Sequence, residues 1–129
     1  HDMKWLDHVE ADILVNNTKI KLIHPGGGSA YALSYSAQKM VESFQGGEKP
    51  HVLIMGHYHK FDMNYVREVF CLQPGCIQDQ TPFMRKKKLG AHVGFCIVTI
   101  NSREDGTVGR SNVEWFPFYD RGYHIKLEL

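Results

Sequence analysis

The stretch VLIMGHYHKFD, residues 52–62, limits the fold of this chain more than any other part of it. Between Pro50 and Gly56 the residues Val52, Leu53, Ile54 and Met55 form an unbroken apolar run. A half-exposed strand alternates, and an amphipathic helix repeats every three to four residues. A short continuous run between chain breakers is therefore a strand covered on both faces. Such a strand requires a sheet with a packed layer on each side. With 129 residues the chain is long enough for one hydrophobic core and too short for two comfortable ones, so residues 1–129 are expected to form a single domain.

The segments around that strand supply candidates for the layers. ADILVNNTKIKLIH reads as two strands turning at Asn16-Asn17, a pair that tolerates positive φ. Ile20 and Leu22 alternate with Lys19 and Lys21, the pattern of a half-buried strand that ends at His24. PGGG then breaks the chain, and Ser29 is placed to cap a helix whose apolar face is Leu33, Ala37, Met40, Val41 and Phe44. Gly46-Gly47 ends it. YVREVFCLQ has the composition of a strand, and LQPGCIQDQTPF is a loop whose two prolines oppose regular structure. VGFCIVTI is a strand that turns at Asp105-Gly106 into TVGRSNVEWFPFY, and Ile125, Leu127 and Leu129 alternate as an edge strand would. The order predicts an α/β (α+β) domain: a mixed sheet, one main helix, and antiparallel strands toward the C-terminus.

Composition narrows the function classes. The formal charge is +1, from 15 basic and 14 acidic residues, so no overall electrostatic pull toward nucleic acid or membrane follows. Three cysteines with no C-x-x-C pair give neither a disulfide framework nor a thiolate zinc site, and they fit a reducing compartment. No apolar stretch approaches the roughly 18 residues of a membrane span, so the expected location is cytoplasmic, with no membrane partner. Eight histidines direct attention to metal or proton chemistry.

His57 and His59 flank Tyr58 directly after Gly56. In an extended segment residues i and i+2 share a side, about 6.5–7 Å apart along the chain, and Tyr58 would point the other way. Two metal ions in a hydrolytic pair stand about 3.5–4 Å apart, and each Zn–N bond is about 2.0–2.1 Å. Rings at that spacing suit one ion each. A catalytic acid/base pair and two ordinary histidines in a polar loop remain open at this point. The context adds His24, which ends another strand. If the two strands lie parallel, all three histidines reach one edge of the sheet.

MGHYH resembles the G-H-x-H motif of the calcineurin-like metallophosphoesterases, LIHPGGGSAYALS resembles the element before it, and LQPGC resembles the Pro-Gly turn after it. The likeness runs from about residue 11 to residue 118, with Pro25 where the family often has glycine. It implies a layered β-sandwich with a flanking helix. It also implies hydrolysis of phosphate esters by a dinuclear centre of divalent ions, commonly Mn, Fe or Zn. In that scheme His24 and His57 bind one ion and His59 the other. The family's D-x-H, G-D-x-x-D and G-N-H-[DE] motifs do not occur here. His1-Asp2 would be the end of the last of these only if an unusually short segment separated it from His24. The resemblance thus implies the C-terminal half of a domain, inactive or nearly so alone, whose partner is the N-terminal half or another copy of itself.

Other features carry weaker implications. HPGGGS lacks the Gly-Lys-Ser/Thr of a nucleotide-binding loop, yet amides at Gly28 and Ser29 beside a metal-binding histidine would hold a substrate phosphate oxygen. Arg85 to Lys88 is either a solvated loop or a basic lip for a phosphoester or a nucleic acid backbone. His92 and Cys96 belong with a core strand, and His8, His51 and His124 have no assigned role. Two other functions compete with the hydrolase: a half-domain serving as an interaction or nucleic-acid-binding module, and a mononuclear structural zinc domain.

Overall fold

The computed structural model describes residues 3–28 and 30–118. Ser29, His1-Asp2, His124 and the strand expected at Ile125, Leu127 and Leu129 lie outside the described residues. In chain order the elements are β1 (Glu10–Val15), β2 (Thr18–Ile23), α1 (Tyr35–Ser43), β3 (Val52–Met55), β4 (Phe61–Val66), β5 (Val69–Pro74), α2 (Pro82–Lys86), β6 (Gly94–Ser102) and β7 (Val108–Pro117). Five strands form one sheet in the order β1-β2-β3-β5-β4, and β6 pairs with β7 in a second sheet. The inner strands β2, β3 and β5 are parallel, while β1 and β4 flank them antiparallel. This is the mixed, layered α+β architecture expected from the sequence.

The apolar run of β3 lies at the centre because both of its faces are covered. Leu53 and Met55 meet Ala37 and Val41 of α1, with Val69 and Cys71 of β5 beside them. Val52 points the other way, joining Phe70 and Leu72 against Cys96, Val98 and Ile100 of β6. The layers are therefore helix, sheet and hairpin. Burying each such side chain contributes about 1.5–3 kcal/mol, and Val52, Leu53 and Met55 are at most 1% exposed. No helix among the described residues is long and apolar enough to cross a membrane.

Several local expectations change. Lys21 is not on a solvent face: it is 7% exposed, since β2 is an inner strand and α1 extends over its lysine side. Its charge is compensated by Asp12, directly opposite in register, at 3.1 Å and by Glu10 at 3.8 Å. Its Nζ also lies 5.7 Å from the centre of the Phe44 ring. Helix α1 starts after Ser34 rather than near Ser29, leaving Leu33 outside it with its carbonyl accepting from Gln73 Nε2 at 2.7 Å.

YVREVFCLQ is not one strand but the end of β4, a turn and the start of β5. Arg67 and Glu68 make that turn with φ of 48° and 66°, which suits the twist of a hairpin but strains residues bearing a Cβ. An ion pair of 2.6 Å from Arg67 to Glu42 ties the turn to α1. Pro82, expected to oppose regular structure, instead opens α2. A missing N–H is harmless in the first turn, and Thr81 Oγ1 accepts from the Met84 amide at 3.2 Å.

Candidate metal centre

Parallel pairing of β2 with β3 sets Ile23 opposite Met55. The next residues, His24 and Gly56, consequently leave the sheet at the same edge. The amide of Gly56 donates to the Ile23 carbonyl at 3.0 Å, and that of His24 to the Val9 carbonyl at 2.8 Å. His57 and His59 follow within three residues. This edge is formed by the carboxyl ends of parallel strands, where sites in open sheets collect.

Beyond Gly56 the chain is not extended, contrary to the expectation from the H-x-H spacing. The Tyr58 amide donates to the Gly56 carbonyl at 3.1 Å around His57, whose φ is 80°. A bond of this kind, from i to i+2 across positive φ, is the rarer and strained form of the γ-turn. His59 is also left-handed, with φ of 54°. Arithmetic based on a straight strand therefore does not apply. Nor does Tyr58 point away: its ring packs edge-on against His57 at 5.1 Å, and its hydroxyl donates to the Gly26 carbonyl at 3.4 Å.

The turn brings His57 Nδ1 to 3.2 Å from His24 Nε2, with the rings at 74° to each other. His57 Nε2 lies 2.8 Å from the Gly27 carbonyl. A carbonyl only accepts, so Nε2 carries the proton and neutral His57 presents its Nδ1 lone pair toward His24. Two nitrogens bound to one tetrahedral ion, with bonds of about 2.0–2.1 Å, stand about 3.3–3.4 Å apart. The observed spacing thus matches two ligands of a single ion. Without an ion, the same spacing accommodates a His24 N–H donating to His57.

His59 lines the same cleft as His24 and His57. Its Nδ1 is buried with no hydrogen-bond partner among the described residues, an uncommon state that ordinarily calls for a water or an ion. Yet no group of three His, Cys, Asp or Glu side chains among the described residues is arranged to hold a metal, and none of the described residues lining the cleft is acidic. The donors present fit one ion shared by two histidines. They do not include the carboxylates that would neutralise a pair of ions.

Gly28 lines the cleft, on a loop well ahead of α1 rather than in the first turn of a helix. Of the basic run, Arg85 and Lys86 end α2 and only Lys87 lines the cleft. Sequence reasoning missed Lys60, Phe83 and the Gly27 carbonyl. Lys60 directly follows H-x-H and was the most accessible of these. The remaining described core histidines serve the backbone: His51 Nδ1 accepts from the Lys19 amide and His92 Nδ1 from the Phe61 amide, each at 2.9 Å.

No protein-family model and no curated protein matches this sequence. Among solved structures, the chain is similar to wild-type Vps29 of Entamoeba histolytica complexed with Zn2+, at 20% identity and a TM-score of 0.50. The match covers 90% of this chain and 63% of that one. A single aspartate-to-alanine mutant of the same Vps29 matches at 21% identity and a TM-score of 0.50, covering 90% and 64%. The chain thus spans less than two thirds of the length of these structures. At such identity the likeness is one of fold alone: the mixed sheet with few helices resembles the fold of Vps29.

Proposed function

We propose that this chain supplies the histidine side of a divalent-metal phosphoesterase centre. The observation that carries this reading is the 3.2 Å approach of His57 Nδ1 to His24 Nε2 at the carboxyl ends of two parallel strands. In this proposal both nitrogens hold one Mn, Fe or Zn ion, with His59 a further histidine of the same cleft. Such an ion, when bound, polarises a phosphoryl oxygen and lowers the pKa of water. Gly27 fixes the His57 tautomer through its carbonyl, and the γ-turn fixes the ring's direction. Lys60 and Lys87 make the mouth of the site attractive to an anionic ester.

The missing carboxylates would come from a segment or partner that completes the centre, a first half of the fold or a second copy. One observation favours a second reading, a catalytically incomplete half-domain acting as a binding module: none of the described residues lining the cleft is acidic.

Imidazole nitrogen NMR during titration with Zn2+ tests the proposal, together with hydrolysis of bis(p-nitrophenyl) phosphate in Mn2+. His24 Nε2 and His57 Nδ1 should shift together and saturate near one equivalent. Turnover by the chain alone should be a trace that disappears in His57→Ala. Unmoved histidine signals, or turnover indifferent to His57→Ala, would overturn the assignment.

A further inference from the structure

The cleft beside the histidines holds two kinds of chemistry. His24, His57, His59 and Lys60 come from the β2 and β3 ends, whereas Phe83, Met84, Lys87 and Leu89 come from α2 and the turn after it. Its volume is about 640 Å³, within the range of sites that enclose a whole small molecule and larger than an ion with inorganic phosphate requires. Lys60 and Lys87 form no ion pair among the described residues, and the cleft contains no carboxylate from them. Lys60 is half-buried and Lys87 exposed, so both ammonium groups are free to meet an anionic ligand.

Helix α2 adds the second half of the specification. Met84 is 8% exposed and anchors the helix, while its neighbour Phe83 is 64% exposed and lines the cleft. Phe83 makes no ring contact among the described residues. A solitary surface phenylalanine needs no explanation. This one shares a cleft with the cations and the histidine pair.

We propose that the cleft selects phosphate esters whose alcohol portion carries a flat apolar ring, with Phe83 as the ring's stacking partner and Lys60 and Lys87 as cations for the phosphate. The assignment of the phosphate end rests on the metal reading above; that of the ring end rests on α2. Offset stacking on one phenylalanine strengthens binding about three- to tenfold.

Calorimetry on the full chain saturated with Mn2+ tests this with three probes: inorganic phosphate, methyl phosphate and phenyl phosphate. Phenyl phosphate should bind about three- to tenfold more tightly than methyl phosphate. Phe83→Ala, a change at an exposed position, should abolish that preference and leave inorganic phosphate unaffected, whereas Phe83→Trp should retain it. Lys87→Ala should weaken all three probes alike. Equal binding of phenyl and methyl phosphate by the unaltered chain, or a preference that survives Phe83→Ala, would overturn the proposal. Repeating the series without Mn2+ separates the two readings: inorganic phosphate binding that ignores Mn2+ counts against the metal centre, while a ring preference that persists still supports Phe83.

Discussion

The hydroxyl of Thr18 donates to the carbonyl of Gly106 at 2.8 Å, joining the turn between β1 and β2 to the turn between β6 and β7. Thr18 is 1% exposed, and its Oγ1 also lies 2.5 Å from Ser102 Oγ. Asn17 Nδ2 donates to the Glu104 carbonyl at 3.1 Å, and a Cβ on Gly106 would stand 2.0 Å from the Asn17 carbonyl oxygen. The hairpin layer is thus latched onto the main sheet through its turn.

Thr18→Val keeps the shape but leaves the Gly106 carbonyl and Ser102 hydroxyl without their buried partner. The expected loss is about 1–3 kcal/mol, read by urea denaturation. Gly106→Ala should be the more damaging of the two, because it adds the backbone collision at a residue with φ of 88°. Wild-type stability in both variants would show that the turns do not hold the layers together.

Gly75 and Trp115 form a second junction. The indole stacks on Phe61 at 4.4 Å, and a Cβ at Gly75 would come within 2.7 Å of both the Trp115 ring and the His92 carbonyl. With φ of 76° as well, Gly75→Ala should cost at least about 1–3 kcal/mol. Thermal unfolding followed by near-ultraviolet circular dichroism measures both the loss of stability and any change in tryptophan packing.

His57 sits in left-handed backbone, so the ordinary ranking of alanine above glycine should reverse there. At an unstrained strand or helix position glycine is less stable than alanine by roughly 0.5–1 kcal/mol. His57→Gly should instead be more stable than His57→Ala, since both lack the ring and only glycine accepts φ of 80° freely. Equal stability, or alanine ahead, would mean that the γ-turn stores no strain.

Cys71 is 2% exposed, and burial, aided by the negative charge of Asp62, pushes its thiol up to about 11. A thiol reagent at pH 8 should label at most two of the three cysteines in the folded chain and all three after denaturation. The folded state retains this proton to higher pH than the unfolded state, whose thiol titrates near 9. Stability should therefore fall as pH rises from about 9 to about 11, by a contribution that Cys71→Ala removes.

The sequence carried the central elements wherever one local rule acted alone. Asn16-Asn17 makes its turn with φ of 47° and 63°, and the unbroken run of β3 is covered on both sides. Failures came where tertiary contacts override the local rule. Arg67-Glu68 has no turn residue to announce it, and Lys21 looks solvent-facing until Asp12 and α1 are in place. Within the site, His24 and His57 were legible as strand-terminal histidines, and parallel pairing brings them together. Their contact depends on the γ-turn, which the positive φ at His57 produces and no spacing rule anticipates. Phe83 was hidden because Pro82 suggested a loop when it in fact begins a helix.

The most direct measurement is an anomalous difference map at the zinc edge from a crystal of this chain grown with Zn2+. The account predicts one strong peak per chain, about 2.0–2.1 Å from both His24 Nε2 and His57 Nδ1, and its loss in His24→Ala. A peak away from that pair, or no peak at saturating Zn2+, would contradict the metal centre. Two full peaks in the cleft would show that carboxylates reach it after all.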